Sequence, residues 1–502
     1  MTDTRCADVC LVVEGCYPFV TGGVSSWLDW LIREQKDKSF SVLAITADDS
    51  VQDVKYSLPD NVLNLQVLPL STTQKRMRLG DPKIDASVFG DALVRLWENG
   101  DADAFDVLCD LAMTPARRGF PSVPGRAVRP DHADLISSTP AWDAIETCAN
   151  NLAPEAAFSD FFWAWRTLVG GMVSVLTSPV PPARIYHAIS TGYAGLFAVR
   201  AARETGARIA LTEHGIYTNE RRIDMVMADW LGDRVRKGFT LKDPRRDTRD
   251  LWIAMFESFA KVAYARADRI TTLYSANQGF QRALGAPENR LSVIPNGIAL
   301  ERFDDLKRPS NKARPVVGLI GRVVPIKDIE ACIRAAAVIR ETVPDVEVLI
   351  IGPTDENPEY YEACKKRVSE LNLDTTVRFM GRMNIFEILT SLDVLLLTSI
   401  SEAQPLVLLE AGAARIPCVA TDVGSCREII EGSETESPAL GRGGFVVPPM
   451  DPDALAAAVI CLLSDETLRL ECGEALRARV EQSFTSRSSS AAYAALYEEL
   501  VA

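Results

Sequence analysis

Two carboxylates eight positions apart, Glu402 and Glu410, stand in the stretch SEAQPLVLLEAGAARIPCVATDVGSCREII at residues 401–430. Within one helix that spacing is a little over two turns, which puts both on one face. Glu402, however, follows the apolar run VLLLTS (394–399) and reads as a loop residue, while Glu410 lies inside the apolar helix that starts after Pro405. The strand–loop–helix order sets one carboxylate at the carboxyl edge of a sheet and the other near a helix start, where open α/β sheets bind nucleotides. A charge buried in LVLLEAGAA is costly without a partner. The hydroxyls of a ribose would supply two donors, and a structural arginine is the alternative.

The next group is LIGRVVPIKD (319–328), where a strand ends at Gly321 and Arg322 and Lys327 bracket a short loop before a helix near Asp328. Two cations at the end of a strand clamp a diphosphate and neutralise charge on a leaving group; two solvated charges are the alternative. At the amino end, Gly22 and Gly23 precede a helical pattern, so their amides can approach an oxygen-rich group. The spacing is not that of the dinucleotide fingerprint GxGxxG, which removes the main support for a dehydrogenase. Gly424 and Ser425 begin another helix and could offer amides to phosphate, and Asn296-Gly297 reads as a turn with positive φ.

Only three histidines occur. His214, in LTEHGIY, ends a strand and points to the crevice, with a hydrogen-bonded core residue as the alternative; the NERRIDM that follows brings Glu220, Arg221, Arg222 and Asp224 near the same edge. His187 ends RIYHAI and suits packing or function equally, while His132 reads as a surface loop residue. No DxD follows an apolar strand, and DAD (101–103) and DPD (451–453) read as helix caps, so neither a metal site nor a cofactor is expected.

These residues need strand ends to hold them, and the chain supplies strands in alternation with helices, the pattern of βαβ units. The first half reads as strands at 8–13, 40–46, 62–70, 184–189, 208–214, 269–275 and 291–297, with a largely helical insertion over 71–180. That insertion holds the basic run QKRMRLG, a long loop in ARRGFPSVPGRAVRP and an aromatic helix around FSDFFWAWRTL, and reads as an acceptor surface or a solvated cap. The second half reads as six strands, at 315–321, 347–352, 377–381, 394–399, 418–423 and 443–449, after a polar linker at 294–315. The expected fold class is α/β, two doubly wound, Rossmann-like domains facing each other across a cleft, over residues 1–293 and 294–482.

At 502 residues the chain exceeds one core, and its formal charge of -14 argues against nucleic acid. Eleven scattered cysteines without a CxxC pair suit a reducing compartment. No signal peptide and no run of roughly 20 apolar residues is legible, so a cytoplasmic location is expected.

Taken together, these positions make the sequence resemble the retaining glycosyltransferases of family 4, which have the GT-B fold. The resemblance implies Glu402 near a donor sugar and its diphosphate, Glu410 on the ribose, Arg322 and Lys327 on the diphosphate, Gly22 and Gly23 in the glycine-rich loop, and His214 beside the sugar. Leu406, between the glutamates, joins the implied donor-binding set, and His214, Arg322, Lys327 and Glu402 form the implied catalytic set. The segments EGCYPFVTGGVSSW, HAISTGYAG, LTEHGIYTNERRIDM, GRVVPIKDI and TSISEAQPLVLLEA narrow the resemblance to PelF-type transferases. That group implies a UDP-sugar donor, a growing Pel exopolysaccharide as acceptor, inner-membrane Pel components as partners, and a last helix (483–502) crossing back to the first domain. Ala403 stands where the family often has Gly, and Asn296-Gly297-Ile298-Ala299 where it has NGID or NGVD. A UDP-sugar epimerase of the same fold and a non-catalytic nucleotide-binding scaffold are the alternatives.

Overall fold

The computed structural model describes residues 5–71, 84–117, 127–227, 247–306, 314–433 and 436–502. The run QKRMRLG, the middle of ARRGFPSVPGRAVRP and part of the linker lie outside them. The chain divides into two units, the first Met1–Thr272, Gln278–Ser292 and Ala494–Ala502, the second Leu273–Asn277 and Val293–Tyr493.

The first unit is built on β1 (Ala7–Glu14), β2 (Phe40–Thr46), β3 (Val62–Pro69), β6 (Ala183–Ala188), β7 (Arg208–Glu213), β8 (Arg269–Thr272) and β9 (Leu291–Val293), in the order β3-β2-β1-β6-β7-β8-β9. Pairings from β3 through β8 are parallel. Strands covered on both faces read as unbroken apolar runs, and every residue of FSVLAIT in β2 is buried. Among its described residues the insertion forms five helices, Ala86–Asn99, His132–Ser137 and Phe158–Thr177 among them, and a short antiparallel pair, β4 (Ala116–Arg117) with β5 (Ala127–Val128).

It is not a solvated cap. Trp97, Phe105, Phe161 and Trp165 of the insertion are fully buried and belong to the same core as β1 and β6. The helix Phe158–Thr177 turns Phe161, Trp165, Leu168 and Met172 inward at helical spacing. His187 lies in this core too, sharing hydrogen bonds with the Tyr497 and Thr212 hydroxyls at 2.8 and 2.7 Å. Burial lowers its pKa to about 3, so it is a neutral packing residue.

The second unit carries β10 (Val316–Ile320), β11 (Glu347–Ile351), β12 (Val377–Gly381), β13 (Val394–Leu397), β14 (Cys418–Thr421) and β15 (Gly444–Val447), all parallel, ordered β12-β11-β10-β13-β14-β15. All six are the strands expected from the sequence. The helix Ile329–Thr342 buries Ile329, Cys332, Ile333, Ala336 and Ile339, a single apolar stripe. Asp101 and Asp451 cap their helices as read. Ser275, in a segment the sequence places with the first domain, hydrogen-bonds Glu428 of this unit through its backbone amide at 3.0 Å.

Gly297 is required for another reason than the one expected. Its φ is not positive; instead a Cβ there would stand 2.1 Å from the Thr485 carbonyl oxygen. The backbones meet because Ile298 and Thr485 form a parallel bridge, with Ile298 N–H donating to Phe484 O at 3.0 Å and Ser486 N–H to Ile298 O at 2.9 Å. Gly297→Ala is therefore expected to destabilise the protein by about 2–3 kcal/mol in urea unfolding. A variant within 0.5 kcal/mol of wild type, roughly the scatter of neutral substitutions, would show that the bridge yields without cost.

Candidate functional site

In the second unit the strand order reverses between β10 and β13, so the chain leaves these neighbours in opposite directions and opens a crevice at their carboxyl ends. The loops there are 321–328 and 398–405. After β10 a short turn, Pro325–Lys327, leads to Asp328, which adopts a left-handed φ of 44° and caps the next helix by accepting the Ala331 N–H at 3.2 Å. Aspartate is among the few residues that tolerate this conformation. The turn folds Lys327 back over the strand end, its Cε 3.6 Å from where a Cβ on Gly321 would stand.

Three contacts join this loop to the one after β13. The Thr398 hydroxyl donates to Lys327 O at 2.7 Å, and Ile400 N–H donates to Ile326 O at 2.9 Å. Lys327 Nζ is paired with Glu402 Oε1, which also accepts the Ser399 hydroxyl at 2.6 Å. The two charged side chains are only 20% and 14% exposed. The Arg322 guanidinium pairs with Glu356 at 2.7 Å and is 55% exposed. So exposed a pair holds weakly, at about 0–1 kcal/mol, and is readily exchanged for a phosphate.

Glu410 sits inside the helix Leu406–Ala413, and Leu406 opens that helix, exposed. Among the described residues, Glu410 has no hydrogen-bond or ion-pair partner, and burial pushes its pKa up to about 7 against the opposing pull of Arg302. Gln404 is a residue the sequence reading missed. Buried, it accepts the Asn296 N–H at 2.7 Å and donates to Asn296 O at 3.3 Å, tying the linker to the glutamate loop. An amide between the two glutamates is its only sequence signal. Ser425 does not offer its amide to phosphate. That N–H donates to Ala403 O at 2.9 Å, and a Cβ on Gly424 would meet the same carbonyl at 2.3 Å.

The first unit holds the remaining positions. Gly22 precedes and Gly23 begins the helix Gly23–Glu34; no side chain caps it, and a Cβ on either glycine would meet open space. His214 lies edge-on to Trp27, ring centroids 4.4 Å apart, and its buried Nε2 has no partner among the described residues. Burial lowers its pKa to about 4, leaving the ring neutral at pH 7. In NERRIDM, Arg221 pairs with Asp224 at 2.9 Å and Arg222 with Glu257. His132 is no surface loop residue. It starts the helix His132–Ser137, and its Nε2 lies 3.1 Å from Gly170 O, because the insertion packs into the core. Sequence reasoning also passed over Glu14, although a carboxylate ending an apolar strand was a signal.

The Lys327–Glu402 pair predicts a coupling. Lys327→Met or Glu402→Gln alone leaves a largely buried group without its partner and is expected to cost about 2–4 kcal/mol in chemical denaturation. The double variant should cost at least about 1 kcal/mol less than the sum; simple additivity would mean the pair is not held in solution. Glu410 predicts a pH dependence. Its folded pKa is raised, so its favourable contribution is complete below the ordinary value of 4.5 and lost as pH rises through about 7. Glu410→Gln should therefore gain stability over wild type between pH 5 and pH 8 by about 2–3 kcal/mol in thermal unfolding, and an equal difference at both pH values would contradict a desolvated carboxyl without a partner among the described residues.

Residues 7–289 match the family described as Domain of unknown function (DUF3492), and residues 301–479 match Glycosyl transferases group 1. A D-inositol 3-phosphate glycosyltransferase of Corynebacterium urealyticum is 29% identical over 201 residues, covering 37% of this chain and 46% of that protein. The chain spans about half the length of the curated relatives it matches. Among solved structures, sucrose-phosphate synthase from Thermosynechococcus elongatus aligns with a TM-score of 0.58 at 17% identity, over 99% of each chain. HepE of Anabaena, in complex with UDP, aligns with a TM-score of 0.59 at 14% identity, over 98% of this chain and 100% of that one. At such identities the likeness is one of fold, and the fold is the expected GT-B class, two parallel-stranded α/β units. With more than half of its length matched, the chain belongs to the DUF3492 family, joined here to a glycosyl transferases group 1 domain.

Proposed function

We propose that the protein is a retaining glycosyltransferase that moves a hexosyl or N-acetylhexosaminyl unit from a UDP-sugar to a growing exopolysaccharide of the Pel type. The observation that carries this reading is the group of Lys327, Glu402 and Glu410, the last without a partner among the described residues, at the switch point of a domain matching glycosyl transferases group 1. HepE, a structural neighbour, was solved with UDP and with UDP-glucose. Relatives named as glycosyltransferases match 37% and 43% of the chain.

In this reading the two ribose hydroxyls donate to Glu410, supplying the partners that its burial lacks. Lys327, and Arg322 once released from Glu356, face the diphosphate and stabilise it as it departs. Glu402 holds Lys327 in place and faces the transferred sugar. The bond between the anomeric carbon and the β-phosphate oxygen breaks, and the acceptor oxygen bonds to the same face of that carbon. The acceptor's proton passes to the leaving phosphate, so no protein nucleophile is needed and the configuration is retained. The acceptor chain binds the first unit, and delivery to inner-membrane Pel components accounts for the product's use.

Thermal unfolding with UDP, GDP, ADP and NAD in parallel tests the donor. A ligand at about 100 times its Kd stabilises by roughly 2.7 kcal/mol. UDP alone should raise the Tm, and Glu410→Ala should abolish the rise. With UDP-sugar and acceptor, Lys327→Ala should lower turnover about 100- to 1,000-fold. A Tm unmoved by UDP, or full turnover in the lysine variant, would refute the assignment.

A further inference from the structure

The helix Phe158–Thr177 is aromatic on both sides where it begins. Phe161 and Trp165 enter the core, while Phe158 and Trp163 face outward, 43% and 64% exposed. A helix turn that is apolar all round calls for cover on both sides, and this one has it on one. Phe162 and Trp142 complete the outer group; Trp142 comes from the helix Thr139–Leu152 and is 47% exposed. The ring centroids of Trp142, Phe158 and Phe162 stand 5.9, 6.2 and 6.4 Å apart, and Trp163 meets Phe162 edge-on at 5.3 Å. Among the described residues, the one other exposed Trp or Phe is Phe280, far along the chain. Single apolar side chains are ordinary on a surface, but exposed aromatics gathered in one patch mark an interaction surface.

The charges beside the patch are largely of one sign. The two helices and the turn joining them carry Asp143, Glu146, Glu155 and Asp160 against a single base, Arg166. Glu146 accepts the Trp142 indole N–H at 3.0 Å, which sets a carboxylate at the edge of that ring. A lysine or arginine lying on the indole face would gain the attraction of both.

This charge decides between occupants. A second copy of the chain would bring the same carboxylates and a net charge of -14, and like charges facing each other oppose docking. An anionic membrane surface is disfavoured for the same reason. The rings are inclined to one another by 35° to 76°, so they form ridges that receive side chains rather than one flat platform for a sugar ring. Their separations match the roughly 5–6 Å between side chains at i and i+4 on a helix.

We propose that this patch docks a basic amphipathic helix of a partner protein. Aliphatic side chains of that helix seat between Trp142, Phe158 and Phe162, and its lysines or arginines pair with the neighbouring carboxylates. This docking surface goes beyond the transferase reading and does not depend on it.

The test is calorimetric titration of the full chain, at physiological ionic strength, with an amphipathic leucine–lysine peptide of about 18 residues. The leucine–glutamate peptide of the same pattern is its counterpart. The leucine–lysine peptide is expected to bind saturably and the leucine–glutamate peptide not at all. Trp142→Ala and Phe158→Ala, both at exposed positions, should each weaken binding at least about tenfold, as aromatic anchors do. Phe280→Ala, which removes an exposed ring elsewhere, should leave binding unchanged. These variants keep the net charge, so a general attraction of basic peptide to an acidic chain would survive all three. Equal binding in wild type and both patch variants therefore overturns the proposal, as does equal affinity for the two peptides. Binding to vesicles of phosphatidylcholine and phosphatidylglycerol that is lost in Trp142→Ala, or a dimer lost in that variant, overturns it in favour of a membrane or a second copy. The UDP-induced rise in Tm should be the same in the patch variants as in wild type. Its absence from the wild type would discard the donor assignment and leave the docking surface standing.

Discussion

The ion pair between Lys327 and Glu402 is the interaction on which the second unit's crevice depends. Both groups are largely removed from water, so neither is tolerated without the other. The partners lie 75 residues apart in sequence, on loops leaving adjacent strands. Their pairing therefore fixes the separation of two strand ends as well as the direction of one cation. Hydrogen bonds from the Thr398 hydroxyl and the Ile400 N–H to the carbonyls of Lys327 and Ile326 lock the same two loops, so the pair does not bear the geometry alone. Gln404 and Ser425 secure the glutamate loop at its far side through Asn296 and Ala403. Every one of these contacts uses a polar group that would be costly to bury unpaired. Glu410 and the loosely held Arg322 are the exceptions, and they are the groups with capacity left for a ligand.

The first unit applies the same constraint to a different pair of strand ends. Its large helical insertion shares the sheet's core through Trp97, Phe105 and Trp165, so removing it would expose the interior. Packed that way, the insertion brings His132 and Trp163 to the cavity bounded by Glu14. His187, by contrast, is spent on the fold. Its two ring nitrogens are taken by Tyr497 and Thr212, and its low pKa keeps a charge out of the core at neutral pH.

Much of the fold was legible because parallel strands covered on both faces must be apolar throughout, and such runs stand out between amphipathic helices. Glu402, Glu410, Arg322 and Lys327 were legible for the related reason that charges at strand ends and inside apolar helices are rare and demand an explanation. What escaped were groups whose meaning lies in a distant partner. Gly297 was read as a turn residue, when it is the backbone of Thr485 that leaves no room for a Cβ. Ser425 was read as an open amide, when Ala403 already occupies it. His132 was read as surface because its loop is irregular, and nothing local announces the carbonyl of Gly170 beside it.

By itself, then, the sequence determined the α/β class, the six strands of the second unit and the identity of the charged residues at their ends, since hydrophobic periodicity and rare buried charges are local properties of a chain. Only the tertiary structure decided how those charges are used. Lys327 belongs to Glu402 and Arg322 to Glu356, Glu410 is left without a partner among the described residues, and Glu14 takes the hydroxyl of Tyr217, far along the chain. Pairing depends on which loops the strand order makes neighbours, and desolvation depends on what packs around them; both are set by contacts between residues far apart in the chain.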